Sequence, residues 1–441
     1  MTNTSYAGPA VFGYETDHLR RIAAISVHTS PLATLGGKDA GGMNVYVREL
    51  SCHLAQLGLP VDIFTRRTDP NAPEVVEICE GVNLVYVDAG LPQPVDKNQL
   101  FDLLPEFAEN MALYSLREGV RYDVVHAHYW LSGWTAHLLK RYWNTPFSLM
   151  FHTTAHMKNI VSPDTEQETS LRGEIEGRLV GLADSIIAAN PDEAADLIWR
   201  QRGESAHICT IPPGVDTELF KPLDRSACRM ELGIPEEEQV VLFVGRVDPI
   251  KGLDTLLDAT RYLKDSGSAA KTHVVGGDLD DFGQPVGPLA IFAQRARELG
   301  VDDRFVFWGS QPQNQLPVFY SAADVVSVPS RYESFGLVAV EAMATGTPVV
   351  ASRAGGLTFT IEDGRNGYLA PIGDGVAHGA RLLELLDDDR KRAAFGQAAR
   401  LSALRFSWTS VASSILHVYE RLAEGDRANL CCEDEIFANA M

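Results

Sequence analysis

Long hydrophobic runs are missing from this chain. No apolar stretch approaches the ~20 residues of a membrane-spanning helix. The N-terminus, MTNTSYAGPAVFGYETDHLRR, has no basic start followed by a hydrophobic core, so no secretory signal is expected. Cysteine is scarce: six in 441 residues (Cys52, Cys79, Cys209, Cys228, Cys431 and Cys432), with no CxxC pair. That usage excludes zinc-ribbon spacing. It reads as a reducing, cytoplasmic compartment rather than as a disulfide scaffold. Positive charge is also short. Thirty-eight Lys+Arg against 59 Asp+Glu leave a formal charge of −21, which repels nucleic acid and anionic lipid over most of the surface. No nucleic-acid or membrane partner is therefore expected, and an anionic substrate would need a locally basic pocket. The sequence also lacks GxGxxG, a Walker loop and HExxH, which argues against dinucleotide binding, ATP cleavage and a zinc protease.

What is present is ordinary globular material: 45% hydrophobic, 8% aromatic and 22% charged residues. That length suggests two to four domains. RIAAISVHT (21–29) reads as a buried strand, LGGKDAGG (35–42) as a Gly-rich loop, residues 43–58 as an amphipathic helix and VDIFTRR (61–67) as the next strand. YDVVHAHY (122–129), FSLMFHT (147–153) and DSIIAAN (184–190) add three more apolar runs of the kind that parallel strands buried on both faces produce. The Pro-rich stretch 211–222 reads as a linker. The pattern then restarts with QVVLFVGRV (239–247), followed by strands at 269–277, 304–310, 323–330 and 348–352. The fold class is α/β, two Rossmann-like doubly wound domains. The expected organisation is a flexible leader (1–19), an N-terminal domain (20–214), a C-terminal domain (215–406), a final helix (407–425) returning to the first domain, and a frayed acidic tail (426–441).

Three constellations carry chemistry. GGKDAGG joins a strand to a helix, where glycines admit close backbone approach and helix amides favour an anion; a merely flexible turn would read the same. GRVDPIKG (245–252) follows the strand that opens the second domain. Its Arg246 and Lys251 suit a diphosphate at the carboxyl end of a sheet, although two solvated surface charges are the plainer alternative. In PSRYESFGLVAVEAMATGTPVVAS (329–352), Glu333 is placed at a helix start and Glu341 eight residues on. A carboxylate amid FGLVAVEAMA needs a hydrogen-bonding partner, and a vicinal diol such as ribose would serve; capping a nearby loop would serve too.

Together, Glu-x7-Glu in ESFGLVAVE, the GRVDPIKG turn and the GGMNVYV loop resemble the family 4 retaining glycosyltransferases of the GT-B fold, over roughly residues 20–425. SVHTSPL, GKDAGGMNVYV, HYWLSGW and the FHT…KN segment are most similar to two subgroups. These are the sucrose-phosphate synthases and the inositol-phosphate glycosyltransferases of mycothiol synthesis. PVDKNQLFDLLPEF (94–107) leans to the former; SVHTSPL and HYWLSG lean to the latter.

The resemblance implies two domains facing each other across a cleft and transfer of a hexose from a UDP-sugar to a phosphorylated acceptor. UDP-glucose and fructose 6-phosphate are the first choice. UDP-N-acetylglucosamine with an inositol phosphate is the alternative. Arg246 and Lys251 match the pair that holds the donor diphosphate, Glu341 the ribose-binding glutamate, and Glu333 the carboxylate beside the donor sugar. The amides of Phe335, Gly336 and Leu337 lie near Glu333. His152 matches the cleft histidine that contacts the hexose, and Gly41 and Gly42 match the loop that closes on the diphosphate. Lys97, Tyr129, Thr153 and Arg172 match the acceptor-phosphate grip. No cofactor and no metal are implied, only small-molecule substrates, and the oligomeric state is open. One departure is the polar run TAHMKN after FHT, where the family pattern is more apolar.

Two features point elsewhere. Asp278–Leu279–Asp280 is a DxD string, the metal–nucleotide motif of another glycosyltransferase fold, but a chain this acidic yields one by chance. His126, His128, His152 and His156 lack zinc-site spacing and read mostly as core or cleft histidines. A UDP-sugar epimerase and a non-catalytic two-lobed sugar-binding protein share the architecture. The epimerase would lack Glu-x7-Glu, and the binding protein would carry a secretion signal.

Overall fold

The computed structural model describes residues 19–33, 41–161, 168–199, 207–426 and 430–431. Residues 1–18 of the expected leader and residues 34–40 of the Gly loop lie outside the described residues, as do the tail positions other than Asp426, Leu430 and Cys431; Leu19, set in the leader, is instead buried in the core.

The first sheet has eight strands: β1 (Ile22–Ile25), β2 (Val61–Arg66), β3 (Val75–Cys79), β4 (Val82–Val87), β5 (Val124–His128), β6 (Phe147–Met150), β7 (Ser185–Ala188) and β8 (Ile208–Thr210). Their order is β3-β4-β2-β1-β5-β6-β7-β8, parallel except that β3 runs antiparallel to β4 at the edge. The second sheet contains β9 (Val240–Val244) and β10 (Lys271–Val275). After a two-stranded hairpin of β11 (Asp278–Leu279) and β12 (Pro285–Val286) come β13 (Phe305–Gly309), β14 (Val325–Val328), β15 (Val349–Ser352) and β16 (Gly367–Ala370). Its order is β13-β10-β9-β14-β15-β16, all parallel. Strand order reverses at β1/β5 in one sheet and at β9/β14 in the other. Doubly wound sheets bind ligands at such switch points, beyond the carboxyl ends of the strands.

Ten runs read as strands fall on observed strands, each a little shorter than its apolar stretch. The antiparallel edge strand β3 did not register, because its residues are exposed or half-buried. β4, β8 and β16 were missed as well.

The stretch 211–222 leads from the first sheet towards the second, as a linker does, but part of it is packed. Residues 211–215 are buried, not a loose polar stretch. The Val215 N–H donates to Phe406 O at 2.7 Å, so the chain's outward and return crossings lie side by side. The helix Trp408–Glu424 then packs on the helix Gly42–Gln56 and on β5. One buried apolar cluster runs from β1 and Tyr46 through Phe335 and Met343 to Trp408 and Tyr419.

The cysteine reading is overturned. Cys52 on the helix Gly42–Gln56 pairs with Cys79 on β3, and Cys209 on β8 pairs with Cys431. Each pair joins elements that only the fold brings together, so spacing could not reveal it. The argument for a reducing compartment falls with it. Leu430 is fully buried beside Cys431, so the tail is not frayed at those two residues. Among the described residues, no helix is long and apolar enough to cross a membrane.

Candidate functional site

The carboxyl ends of β9 and β14 carry the residues that the resemblance assigns to the donor. After β9 the chain turns through Gly245 and Arg246 into a short 3-10 turn, Pro249–Lys251, whose start is capped by Asp248 Oδ1 accepting from Ile250 N. Gly252 ends that turn at φ 70°, and a Cβ there would lie 1.9 Å from Pro329 O. Only glycine allows this approach. Ile250 O accepts from Arg331 N at 2.8 Å, which fixes the turn against the loop after β14. Lys251 Nζ consequently meets Glu333 Oε1, which Ser330 Oγ also reaches at 3.1 Å. Arg246 is exposed, with no ion pair among the described residues.

Glu333 is not at a helix start. Gly336, at φ 88°, caps the helix Leu337–Ala344, so Glu333 sits in the preceding loop. Gly356 N donates to Glu333 O at 2.9 Å and holds that loop. The amides after Phe335 open the helix, while the Phe335 ring itself is core, edge-on to Phe406. Glu341 lies inside the helix, buried. Its Oε2 accepts from Tyr320 OH at 2.8 Å, and the Gln313 side chain also bonds it. Burial pushes its pKa up to about 7, against which those two hydrogen bonds act.

The facing domain brings its own set. Gly41 and Gly42 begin the helix Gly42–Gln56, and a Cβ on Gly42 would lie 3.1 Å from Leu337 Cδ1, so the two domains meet at this loop. Asn44 anchors it: Oδ1 accepts from Gly41 N, and Nδ2 donates to Thr29 Oγ1 and Ser30 O. Tyr129 and His152, at the ends of β5 and β6, are the only non-glycine residues at positive φ among the described residues (78° and 60°). Such strain persists where surrounding structure imposes it, often at functional sites. Burial holds His152 neutral, with its pKa lowered to about 3.

Tyr129, Thr153 and Arg172 do come together. The Arg172 guanidinium lies over the Tyr129 ring at 4.7 Å and donates to Thr153 O at 2.5 Å. It is buried between Glu176 (2.6 Å) and Glu168 (2.9 Å). Lys97 stands in a 3-10 turn close enough to depress the His28 pKa, after the larger effect of burial, and the His28 ring packs on Tyr129.

A cavity of about 630 Å3 lies between the domains, lined by Arg48, Gln311, Gln313, Leu337, Glu341 and Trp408. Arg48 Nη2 donates across it to Gln313 Oε1 at 3.3 Å, and Asn190 Nδ2 donates to Ser334 O in a second cross-domain contact. The DxD string forms the β11–β12 hairpin, where Asp280 Oδ1 accepts from Phe282 N and Gln284 N. Sequence reasoning missed Tyr320, Gln313, Ser330, Asn44 and His28. Of these, Asn44, His28 and Ser330 stand inside motifs already singled out, GGMNVYV, SVHTSPL and PSRYESFG, whereas Tyr320 and Gln313 carry no signal.

Residues 40–219 match the family model Glycosyltransferase Family 4, and residues 224–402 match Glycosyl transferases group 1. D-inositol 3-phosphate glycosyltransferase of Corynebacterium glutamicum is 39% identical over 90% of this chain and 96% of its own. The protein of that name from Mycobacteroides abscessus is 40% identical over 93% and 91%. Among solved structures, sucrose-phosphate synthase of Thermosynechococcus elongatus superposes with a TM-score of 0.83 at 35% identity, over 92% of this chain and 100% of that one. Anabaena HepE, solved with UDP and glucose, shares the fold with a TM-score of 0.69 at 21% identity, over 90% and 98%. Identity of this order along nearly the whole length, on two Rossmann-like domains, settles the class of enzyme as a hexosyltransferase: the chain belongs to the family 4 retaining glycosyltransferases of the GT-B fold.

Proposed function

We propose that this enzyme transfers a hexose from a UDP-sugar to a phosphorylated acceptor. What supports the reading is basic residues on both sides of the cleft. Arg246 and Lys251 lie beyond the carboxyl end of β9 in one domain; Lys97 and Arg172, the latter on the helix Ser170–Leu182, lie around Tyr129 and Thr153 in the other. Lys251 is paired with Glu333 and Arg172 with Glu168 and Glu176, so a bound phosphate would have to share or displace those carboxylates. As the donor's bond to its diphosphate breaks, negative charge grows on the leaving phosphate, and fixed cations there lower the barrier. Glu341 would take the ribose diol and Gly41–Gly42 would close on the diphosphate. Glu333 and His152 would meet the hexose, with the amides of Phe335, Gly336 and Leu337 beside it. No enzymatic nucleophile is needed if the acceptor hydroxyl attacks from the leaving group's face and passes its proton to the departing phosphate oxygen. Two cations in place of a divalent ion mean that turnover should survive EDTA; loss restored by manganese or magnesium would overturn this part.

For the acceptor, relatives named for D-inositol 3-phosphate support an inositol phosphate, with UDP-N-acetylglucosamine as the donor that goes with it. The 35% identical sucrose-phosphate synthase supports the second reading, UDP-glucose and fructose 6-phosphate. The test is a panel of UDP- and ADP-sugars against inositol 3-phosphate, fructose 6-phosphate and their unphosphorylated forms, with products read by mass spectrometry. The phosphorylated acceptor should win strongly in one pair, since charge-assisted hydrogen bonds contribute ~1.5–3 kcal/mol each. Indifference to the phosphate in both pairs would remove the acceptor assignment and leave the family intact.

A further inference from the structure

His152 does not stand alone at the cleft. It ends a buried row of polar rings that begins on the helix Trp408–Glu424. Tyr419 OH lies 2.6 Å from His126 Nδ1. The His126 and His128 rings, two residues apart on one face of β5, have centroids 4.2 Å apart. His128 pairs in register with Met150 on β6, which brings His152, two residues on, into reach. His128 Nδ1 and His152 Nε2 are 3.1 Å apart. Tyr46 packs edge-on to both rings, at 5.6 and 5.2 Å.

We infer that His128, its ring packed against His126, is a positioning residue that fixes which ring nitrogen of His152 carries the proton and which faces the substrate. The inference rests on the reading of His152 as the residue that meets the donor sugar. Burial depresses the pKa of all three histidines, to about 3 for His126 and His152, so the rings are neutral at physiological pH. A neutral imidazole has one N–H and one acceptor nitrogen. The bond between His128 and His152 therefore holds a single proton, and the tautomer of one ring dictates that of the other. Nε2 of His152 is committed to His128, which leaves Nδ1 as the ring nitrogen for a sugar hydroxyl. Whether Nδ1 donates or accepts is then set one residue away.

Plain core packing does not account for the row. His126 Nε2 and Tyr46 OH have no hydrogen-bond partner among the described residues, a cost that Leu or Phe would not carry. The strained backbone of His152, at φ 60°, aims a ring that the row then orients.

The test combines long-range 1H–15N correlation spectra of the histidines with UDP-release kinetics and UDP affinity. In the wild type, His152 should show one tautomer. In His128→Phe it should populate both, with kcat at least tenfold lower and UDP Kd within twofold. His128→Gln, which restores a donor and an acceptor, should recover part of kcat. His128→Leu, which also removes both ring nitrogens, decides the question if His128→Phe does not fold. An unchanged His152 tautomer in the Phe or Leu variant would overturn the inference. Normal turnover in His152→Ala would instead overturn the sugar-contact reading, because the tautomer measurement stands without activity.

Discussion

At Glu341, burial and ligand binding pull in opposite directions. A ribose diol is best accepted by a carboxylate, yet burial raises this group from an ordinary 4.5 to about 7. The folded protein therefore holds a proton that the unfolded chain releases between those values. Its contribution to stability is full below pH 4.5 and is lost as pH rises through 7. Glu341→Gln keeps the neutral form at every pH. It should gain stability relative to wild type between pH 4 and pH 8, by at most ~3 kcal/mol; a constant offset across that range would contradict the assignment. UDP-glucose, whose diphosphate diester does not titrate in this range, should bind wild type more tightly at pH 8 than at pH 6, and the variant weakly at both. On the proposed diphosphate reading, Arg246→Ala and Lys251→Ala should each lower turnover by ~100–1000-fold in a folded protein, since each would remove a charge that faces the developing leaving group. Near-normal rates in both would end the diphosphate reading. Arg172 calls for a gentler change. Its loss would leave Glu176 without its ion-pair partner and Glu168 with Lys158 alone, a penalty of up to ~3–5 kcal/mol that confounds any assay. Arg172→Lys keeps the charge and loses the planar fork. It should cut the preference for the phosphorylated acceptor while leaving UDP affinity unchanged.

The elements that present these residues differ in how openly the sequence declares them. Central parallel strands such as β1, β5 and β9 are buried on every residue or nearly so, and read as unbroken apolar runs. Edge strand β3 alternates without a buried side; VVEIC has the β-branched residues of a strand but lacks the continuous apolar run that marks the central ones. Motif residues on strand ends were legible because the Gly/Pro punctuation around them is local. Their partners were not. Tyr320 reaches Glu341 from 21 residues away and Lys251 reaches Glu333 across 82, and no spacing encodes either meeting. Glu333 was set on a helix because ESFGLVAVE reads continuously, whereas Gly336 in the left-handed region starts the helix after it. Gly252 is the test at this scale. Ala at φ 70°, with its Cβ driven into Pro329 O, must push the 245–252 turn off the loop that carries Glu333. Gly252→Ala should therefore cost more than ~1 kcal/mol in chemical denaturation and weaken UDP binding as well. Stability loss with unaltered UDP affinity would mean that the two loops do not act as one unit.

Across the whole molecule, the chain crosses between domains twice, and the two crossings are bound to each other at Val215 and Phe406. Trp408 begins the returning helix by packing on Gly214, where even a Cβ would come within 2.5 Å of the indole. The helix then lays Tyr419 against the first sheet, and the chain beyond it returns to β8, where Cys431 meets Cys209. This disulfide encloses the entire second domain, with a sequence separation of 222 residues. A cross-link acts chiefly by restricting the unfolded chain, and long loops gain the most, typically ~2–4 kcal/mol. The second disulfide, Cys52–Cys79, spans only 27 residues within one domain. The expectation is an ordering. Cys209→Ser should lower the denaturation midpoint more than Cys52→Ser, and a dithiol reductant should bring wild type down to the level of the double variant. Turnover should respond differently, because helix Trp408–Glu424 is held by its own buried face as well as by the tether. Substrate affinity in Cys209→Ser should stay within about twofold of wild type under native conditions. Equal midpoints for the two single variants would show that loop length does not govern their stabilisation. A collapse of turnover without loss of stability would show that the tether, rather than the packed face of the helix, holds the cleft in its working geometry.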